Sequence, residues 1–241
     1  MVDAGAMRSG SNYAHLLAKV IDARLVDLTV SGATTANILD TPQQTMTGAV
    51  YPPQIQGVPV NADLVTITAG GNDLQFIGSM LFAAWSKVDP NGWITQLLAE
   101  NVADGIPRVD PHEVSAVAEG LARIVSAVRQ TASGALIILV DYLTVITERT
   151  PTGGDEPFTA DELSELLRVQ ECLAEAYRMA AARAGVELLA VSDMSRDHGI
   201  GSTQPWVFGF RSDVENTMAS FHPNRDGMQA VAERLAEMVA T

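Results

Sequence analysis

Apolar residues along the chain fall into short runs and into longer segments where they return every three or four positions. The runs are Leu64 to Thr68, Ala135 to Val140 and, interrupted only by Glu187, Val186 to Val191, and the segment Arg24 to Val30 alternates, with Leu25, Val26, Leu28 and Val30 as its apolar members. Short runs of this kind suit strands, and the unbroken ones suit strands covered on both faces. The helical period is clearest over His112 to Thr131, where Val114, Val117, Leu121, Ile124, Val125 and Val128 share a face. It returns over Ala160 to Ala184, with Leu163, Leu166, Leu167, Leu173 and Tyr177 inward, Thr159 as cap and Gly185 as stop. Further helices are predicted around Tyr13, Leu16, Leu17 and Val20, capped by Ser9 or Ser11, over Phe76 to Trp85, and through Met228, Val231, Leu235 and Met238 after Pro223 and Asn224. Thr41 to Asn61, rich in proline and glycine, reads as an ordered loop, and Lys87 to Pro111 carries no clear period.

Strands alternating with helices of this length predict an α/β domain with a parallel sheet and helices on both faces. In such sheets ligands bind beyond the carboxyl ends of the strands. Three turns are expected to converge there: Ser31-Gly32, Gly70-Gly71-Asn72-Asp73 and Phe221-His222-Pro223-Asn224. Gly70 and Gly71 permit backbone conformations and close approaches that a Cβ forbids. Taken singly, Gly-Gly-Asn-Asp also suits a turn that caps the next helix, and a histidine ahead of a helix suits a surface or capping role.

Composition narrows the partners. With 241 residues, 47% of them hydrophobic, the chain buries a full core, and nothing in it demands two domains. A formal charge of −14 argues against nucleic acid and against anionic membranes. Cys172 is the only cysteine, so no disulfide closes within the chain and no cysteine cluster holds a metal; its place in a helical pattern reads as a small core position. No apolar run reaches the ~20 residues of a membrane helix, and no basic-then-apolar leader opens the sequence, so the chain as given reads as cytoplasmic.

The three turns, with Arg8-Ser9 ahead of Asn12-Tyr13, Asp141-Tyr142-Leu143 and Pro205-Trp206-Val207, give the chain a resemblance to the SGNH, or GDSL-type, esterase and lipase family, in its actinobacterial branch. Ser31-Gly32-Ala33-Thr34-Thr35 is similar to the family's glycine block, Gly70-Gly71-Asn72-Asp73 to its asparagine block and Phe221-His222-Pro223-Asn224 to its histidine block. The resemblance implies a flavodoxin-like three-layer α/β/α fold and a carboxyl-ester hydrolase working through an acyl-serine. His222 would be its general base, and the Gly32 N–H and the Asn72 amide would form the oxyanion hole. It implies no metal and no organic cofactor. Small-molecule, lipid and sugar esters all remain open as substrates, and Trp206 and Phe76 would line an acyl pocket unless they are plain packing. Asp73 is expected to hold its loop by hydrogen bonds, and His15, His112 and His198 to be structural.

Two departures from the family pattern matter. The Gly-Asp-Ser block that supplies the nucleophile occurs nowhere in the sequence, and in the family its strand precedes the segment matching Arg8 to Tyr13. The expectation is a single domain over 1–241, shortened at its amino terminus and impaired in catalysis. Its first strand would be absent or replaced, leaving a gap between Arg24 to Val30 and Leu64 to Thr68 whose bare edges favour self-association. Ser11 is the candidate substitute nucleophile, with helix capping as its competing role. The acid that usually orients the histidine falls at Ala219, so a backbone carbonyl is expected to take its place. Cysteines of secreted relatives match Met7, Val30 and Ile200, which agrees with a reducing compartment. The reading from another class is a non-catalytic relative that keeps the pocket to bind a small ester or carboxylate.

Overall fold

Continuous apolar runs become strands when helices cover both of their faces, and the longest runs do so here. The computed structural model describes residues 2–100, 102 and 105–240. In chain order the elements are α1 (Tyr13–Val20), α2 (Thr35–Leu39), β1 (Gln43–Gln44), β2 (Val50–Tyr51), β3 (Leu64–Ile67), α3 (Phe76–Val88), α4 (Trp93–Ala99), α5 (Pro111–Thr131), β4 (Leu136–Val140), α6 (Ala160–Ala184), β5 (Glu187–Leu189), α7 (Val191–Met194) and α8 (Arg225–Val239). The parallel sheet has the order β3-β4-β5, with Leu64 opposite Leu136 and Val140 opposite Leu189. β1 and β2 form a separate antiparallel pair inside the proline-rich loop.

Side chains alternate across β3, and the helices divide accordingly. Tyr13 of α1 reaches the Thr66 and Thr68 hydroxyls, while Tyr177 of α6 reaches the main chain of Ala69 just beyond the strand. α1 packs on α8 and α5 on α6, giving a layer on each side. Ile138, Leu139, Phe76, Leu121, Ile124, Leu166, Leu173 and Tyr177 are fully buried between them.

The helix ends follow local chemistry. Asp110 accepts from the N–H groups of His112 and Glu113, Glu113 returns a bond to the Asp110 N–H, and Pro111 opens α5. Thr159 and Glu162 make the same box for α6, which ends where Gly185 turns left-handed at φ +59°. For α1 the expected serine cap is wrong. Asn12 is the cap and accepts from the His15 N–H at 3.0 Å, because an amide one residue later reaches the first turn better placed.

The predicted strand at Arg24 to Val30 is also corrected. Residues 23–30 join no ladder, since no strand lies between them and β3 to receive their backbone groups. Side chains hold the segment instead. The Arg8 guanidinium bonds the Thr29 carbonyl at 2.8 Å and lies 3.5 Å from Asp27, which accepts from Asn12 and Thr29. Burial alone would raise the Asp27 carboxyl, but these hydrogen bonds and the Arg8 charge outweigh it and hold it below its ordinary value. The outer edge of β3 is therefore an open sheet edge. Within Lys87 to Pro111, unassigned from the sequence, α3 continues to Val88 and α4 follows a tight turn. Cys172 is half-buried and packs on the rim of the core instead of within it.

Candidate active site

β3 runs out at Ile67, and the chain then turns through glycines whose missing side chains are required. Gly70 has φ +99°, and a Cβ there would lie 2.7 Å from Val117 Cγ1; one at Gly71 would lie 2.8 Å from the Tyr142 hydroxyl. Two buried phenols hold this turn from below. Tyr177 Oη accepts from the Ala69 N–H and donates to the Ala69 carbonyl, both at 2.7 Å, and Tyr142 Oη accepts from the Gly71 N–H at 3.1 Å. Burial pushes both phenols up, Tyr142 to about 12 against the opposing Gly71 bond, so both stay neutral.

The turn presents Asn72 to solvent and fixes it sideways. Asn72 Nδ2 donates one hydrogen to the Ala33 carbonyl at 2.8 Å, leaving its second N–H without a partner among the described residues. Asp73 accepts from the N–H of Thr35 at 3.0 Å and from its hydroxyl at 2.5 Å, which is the loop-holding role expected of it. These bonds clip the asparagine turn to Ser31–Thr35. Gly32 stands exposed beside them at φ +81°, and its N–H makes no hydrogen bond among the described residues.

His222 is set by the residue before it. Phe221 is fully buried at φ +65°, rare for a bulky side chain, and is held there by ring contacts to Phe158 and Phe210 with centroids 5.5 and 6.1 Å apart. Its N–H bonds the Phe208 carbonyl, and the Phe208 N–H bonds the His222 carbonyl. The imidazole Nδ1 then lies 3.0 Å from the Ser220 carbonyl. A carbonyl only accepts, so Nδ1 carries the hydrogen and Nε2 keeps its lone pair, unbonded among the described residues. Burial lowers the imidazole, the Ser220 bond opposes this, and the balance leaves it below its ordinary 6.5, hence neutral at pH 7.

The Asn224 cap starts α8 by accepting from the Gly227 N–H. α8 packs on α1, where the Tyr13 N–H meets Met228 Sδ at 3.3 Å and the Tyr13 hydroxyl meets Thr68 Oγ1 at 3.0 Å. That chain of contacts carries the His222 turn to the carboxyl end of β3. The loops that carry Gly32 and Asn72 are thus joined directly, and the contacts of α8 with α1 tie the His222 turn to the end of β3.

The other expected site residues fare differently. Ser11 is exposed, its N–H bonds Ser9 Oγ at 3.1 Å, and its hydroxyl makes no hydrogen bond among the described residues, to His222 or to any other group. Trp206 is half-buried and lies flat on His198, with centroids 3.8 Å apart, while its carbonyl accepts the Asn224 N–H. It braces the histidine turn. Phe76 offers no surface to a substrate: it is fully buried, edge-on to Tyr142, because it starts α3 on the side facing the core. Tyr142 and Tyr177 were not singled out for the site from sequence, although a tyrosine in an aliphatic stripe has a hydroxyl that must find a partner. Among the described residues no three His, Cys, Asp or Glu side chains are grouped to hold a metal.

Asp141, at the end of β4, is buried and accepts from the Ser192 N–H at 2.9 Å and its hydroxyl at 2.5 Å. Burial pushes it from 3.8 up to about 6 despite those bonds. A raised carboxyl favours the protonated folded protein, so this group costs nothing below pH ~4 and progressively destabilises the fold as pH rises to ~6, by about 3 kcal/mol in all. Asp141→Asn still accepts from the Ser192 N–H and reverses the second bond, its amide donating to the Ser192 hydroxyl, without the charge. Urea unfolding at pH 4 and pH 7 is expected to show the variant gaining stability over the parent at the higher pH only.

A parallel sheet whose β3 leads into an asparagine turn clipped to a glycine loop, with a histidine set ahead of α8, is the arrangement expected of the SGNH-type hydrolases. The chain belongs to the GDSL-like lipase/acylhydrolase family, whose model matches residues 2–230. It is 27% identical to lipase 2 of Streptomyces coelicolor over 97% of this chain and 77% of that protein. The fold matches the crystal structures of an extracellular lipase from Streptomyces rimosus (TM-score 0.67, 21% identity, 99% of this chain and 92% of that one) and of phospholipase A1 from Streptomyces albidoflavus (TM-score 0.69, 19% identity, 99% and 91%).

Proposed function

We propose that the protein is a carboxyl-ester hydrolase in which His222 Nε2 takes the proton of an attacking serine hydroxyl and returns it to the leaving alcohol. The N–H of Gly32 and the free N–H of Asn72 hold the oxyanion of the tetrahedral intermediate. The observation that carries this reading is the Nδ1 bond to the Ser220 carbonyl, which leaves Nε2 as the proton acceptor. Two unspent donors clipped together by the Asn72–Ala33 bond support the second half of the assignment. The nucleophile belongs on a strand ending in Gly-Asp-Ser, which the open edge of β3 is able to pair. On this reading the Gly-Asp-Ser block is what catalysis lacks here, and Ser11, whose hydroxyl has no bond to His222 among the described residues, is a weak substitute for that serine.

The open edge also favours a second reading, self-association by strand pairing, which light scattering at micromolar concentration tests: a monomer removes it. Hydrolysis of p-nitrophenyl acetate tests the first. The chain as given is compared with a form carrying a Gly-Asp-Ser strand ahead of Met1, each with and without His222→Ala. Turnover is expected only in the longer form and falls by about 10²- to 10⁴-fold without the imidazole. Its rate is lost as pH drops and His222 gains a proton, with a midpoint below 6.5. Turnover indifferent to His222 removes the assignment.

A further inference from the structure

Large apolar side chains gathered on one exposed face mark a surface built to be covered. Trp93, 63% exposed, and Leu97, one turn further on, project from the same face of α4. Val88, 54% exposed, ends α3 and is tied to α4 by a tight turn in which the Gly92 N–H and the Thr95 hydroxyl both bond the Asp89 carbonyl. One turn before Val88, the Trp85 indole donates to Thr217 Oγ1 at 2.8 Å. That bond holds the segment carrying the exposed Val214 and Met218 against α3. Ala219, next in the chain after Met218, accepts the His222 N–H. The segment that carries Val214 and Met218 therefore runs directly into the histidine turn.

The charges around this face select its occupant. Asp89 and Glu215 make no ion pair and no side-chain hydrogen bond among the described residues, and Asp213 accepts only from Asn216. The nearby cations are engaged elsewhere: Lys87 bonds the Glu156 carbonyl and Arg211 lies 4.2 Å over the Phe208 ring. Free carboxylates bordering an apolar face complement the ammonium tips of zwitterionic headgroups, while they and a net charge of −14 repel anionic lipid. An indole among aliphatic side chains is suited to the headgroup boundary, with its ring in the apolar layer and its N–H in the polar one.

We infer that Val88, Trp93, Leu97, Val214 and Met218 dock the protein on a zwitterionic lipid surface, with the histidine turn at the edge of the contact. Docking needs no catalysis, so it stands or falls separately from the ester-hydrolase reading. It would, on that reading, deliver lipid esters to His222.

The experiment is flotation of the chain with phosphatidylcholine vesicles and, in parallel, phosphatidylglycerol vesicles, with tryptophan emission as the second readout. Trp85 is buried and Trp206 lies on His198, so Trp93 is the indole whose surroundings change. Phosphatidylcholine is expected to bind the chain and shift its emission to the blue, and phosphatidylglycerol to bind it more weakly. Trp93→Asp with Leu97→Ser, both at exposed positions, should leave the melting temperature unchanged, lower the partition coefficient by at least roughly tenfold and abolish the shift. No partition at millimolar phosphatidylcholine, equal binding by the variant, or tighter binding to phosphatidylglycerol overturns the inference. So does a dimer by gel filtration that the double variant dissolves while neither protein floats, which would assign the face to a second copy of the chain.

Discussion

Gly227→Ala is expected to destabilise the protein by about 3 kcal/mol, read as a lower denaturation midpoint, because a methyl group there has nowhere to go. Its Cβ would lie 2.4 Å from the Trp206 carbonyl oxygen, 3.0 Å from Trp206 Cβ and 2.7 Å from Leu143 Cδ1. The leucine is able to rotate away. The carbonyl is not, since it accepts the Asn224 N–H at 2.9 Å within the bridge that pairs Val207 with Pro223. Relief requires the first turn of α8 to lift off that bridge, which also shifts His222. Gly134→Ala, where the added Cβ meets nothing within 4 Å, is the matched control and should stay within about 0.5 kcal/mol of the parent.

Tyr177→Phe is expected to cost about 2 to 5 kcal/mol. It removes one hydroxyl but orphans two buried backbone groups, the N–H and C=O of Ala69, each worth about 1 to 3 kcal/mol when left unpaired. The ring and its edge contact with Tyr142, centroids 6.2 Å apart, survive the change, so packing contributes little to the loss. Urea unfolding measures the cost, and hydrogen exchange locates it: protection should fall first at Ala69 and Gly71. A loss under about 1 kcal/mol would mean that the turn draws in water to replace the hydroxyl.

How much of this was legible follows from where the information sits. Apolar periodicity is a property of neighbouring residues, so α5, α6, β3 and β4 are readable within a residue or two. Arg24 to Val30 has the composition of a strand, but a strand exists only with a neighbour to bond, and pairing is not written in the segment itself. Gly32 and Asn72 each follow an apolar run at a turn, and His222 stands in a Phe-His-Pro-Asn sequence, so all three are legible as candidates. What positions them is not readable. Tyr177 lies 108 residues from the peptide it holds, and the partner of His222 is a carbonyl, which every residue has. The apolar face near His222 is equally hidden, since it is assembled from α3, α4 and the turn before Ala219 by a single indole bond.

The left-handed Phe221 bears on how this site withstands mutation. A carboxylate that orients a histidine is one codon change from being lost, whereas a main-chain carbonyl survives any substitution at Ser220 that leaves the turn intact. In this geometry the imidazole depends on the fold and not on one side chain, and the residue that matters is not the hydrogen-bond partner. It is Phe221, whose ring secures the unusual backbone angle. In a family alignment, tolerance at the partner position and intolerance one residue later would be the imprint of that dependence.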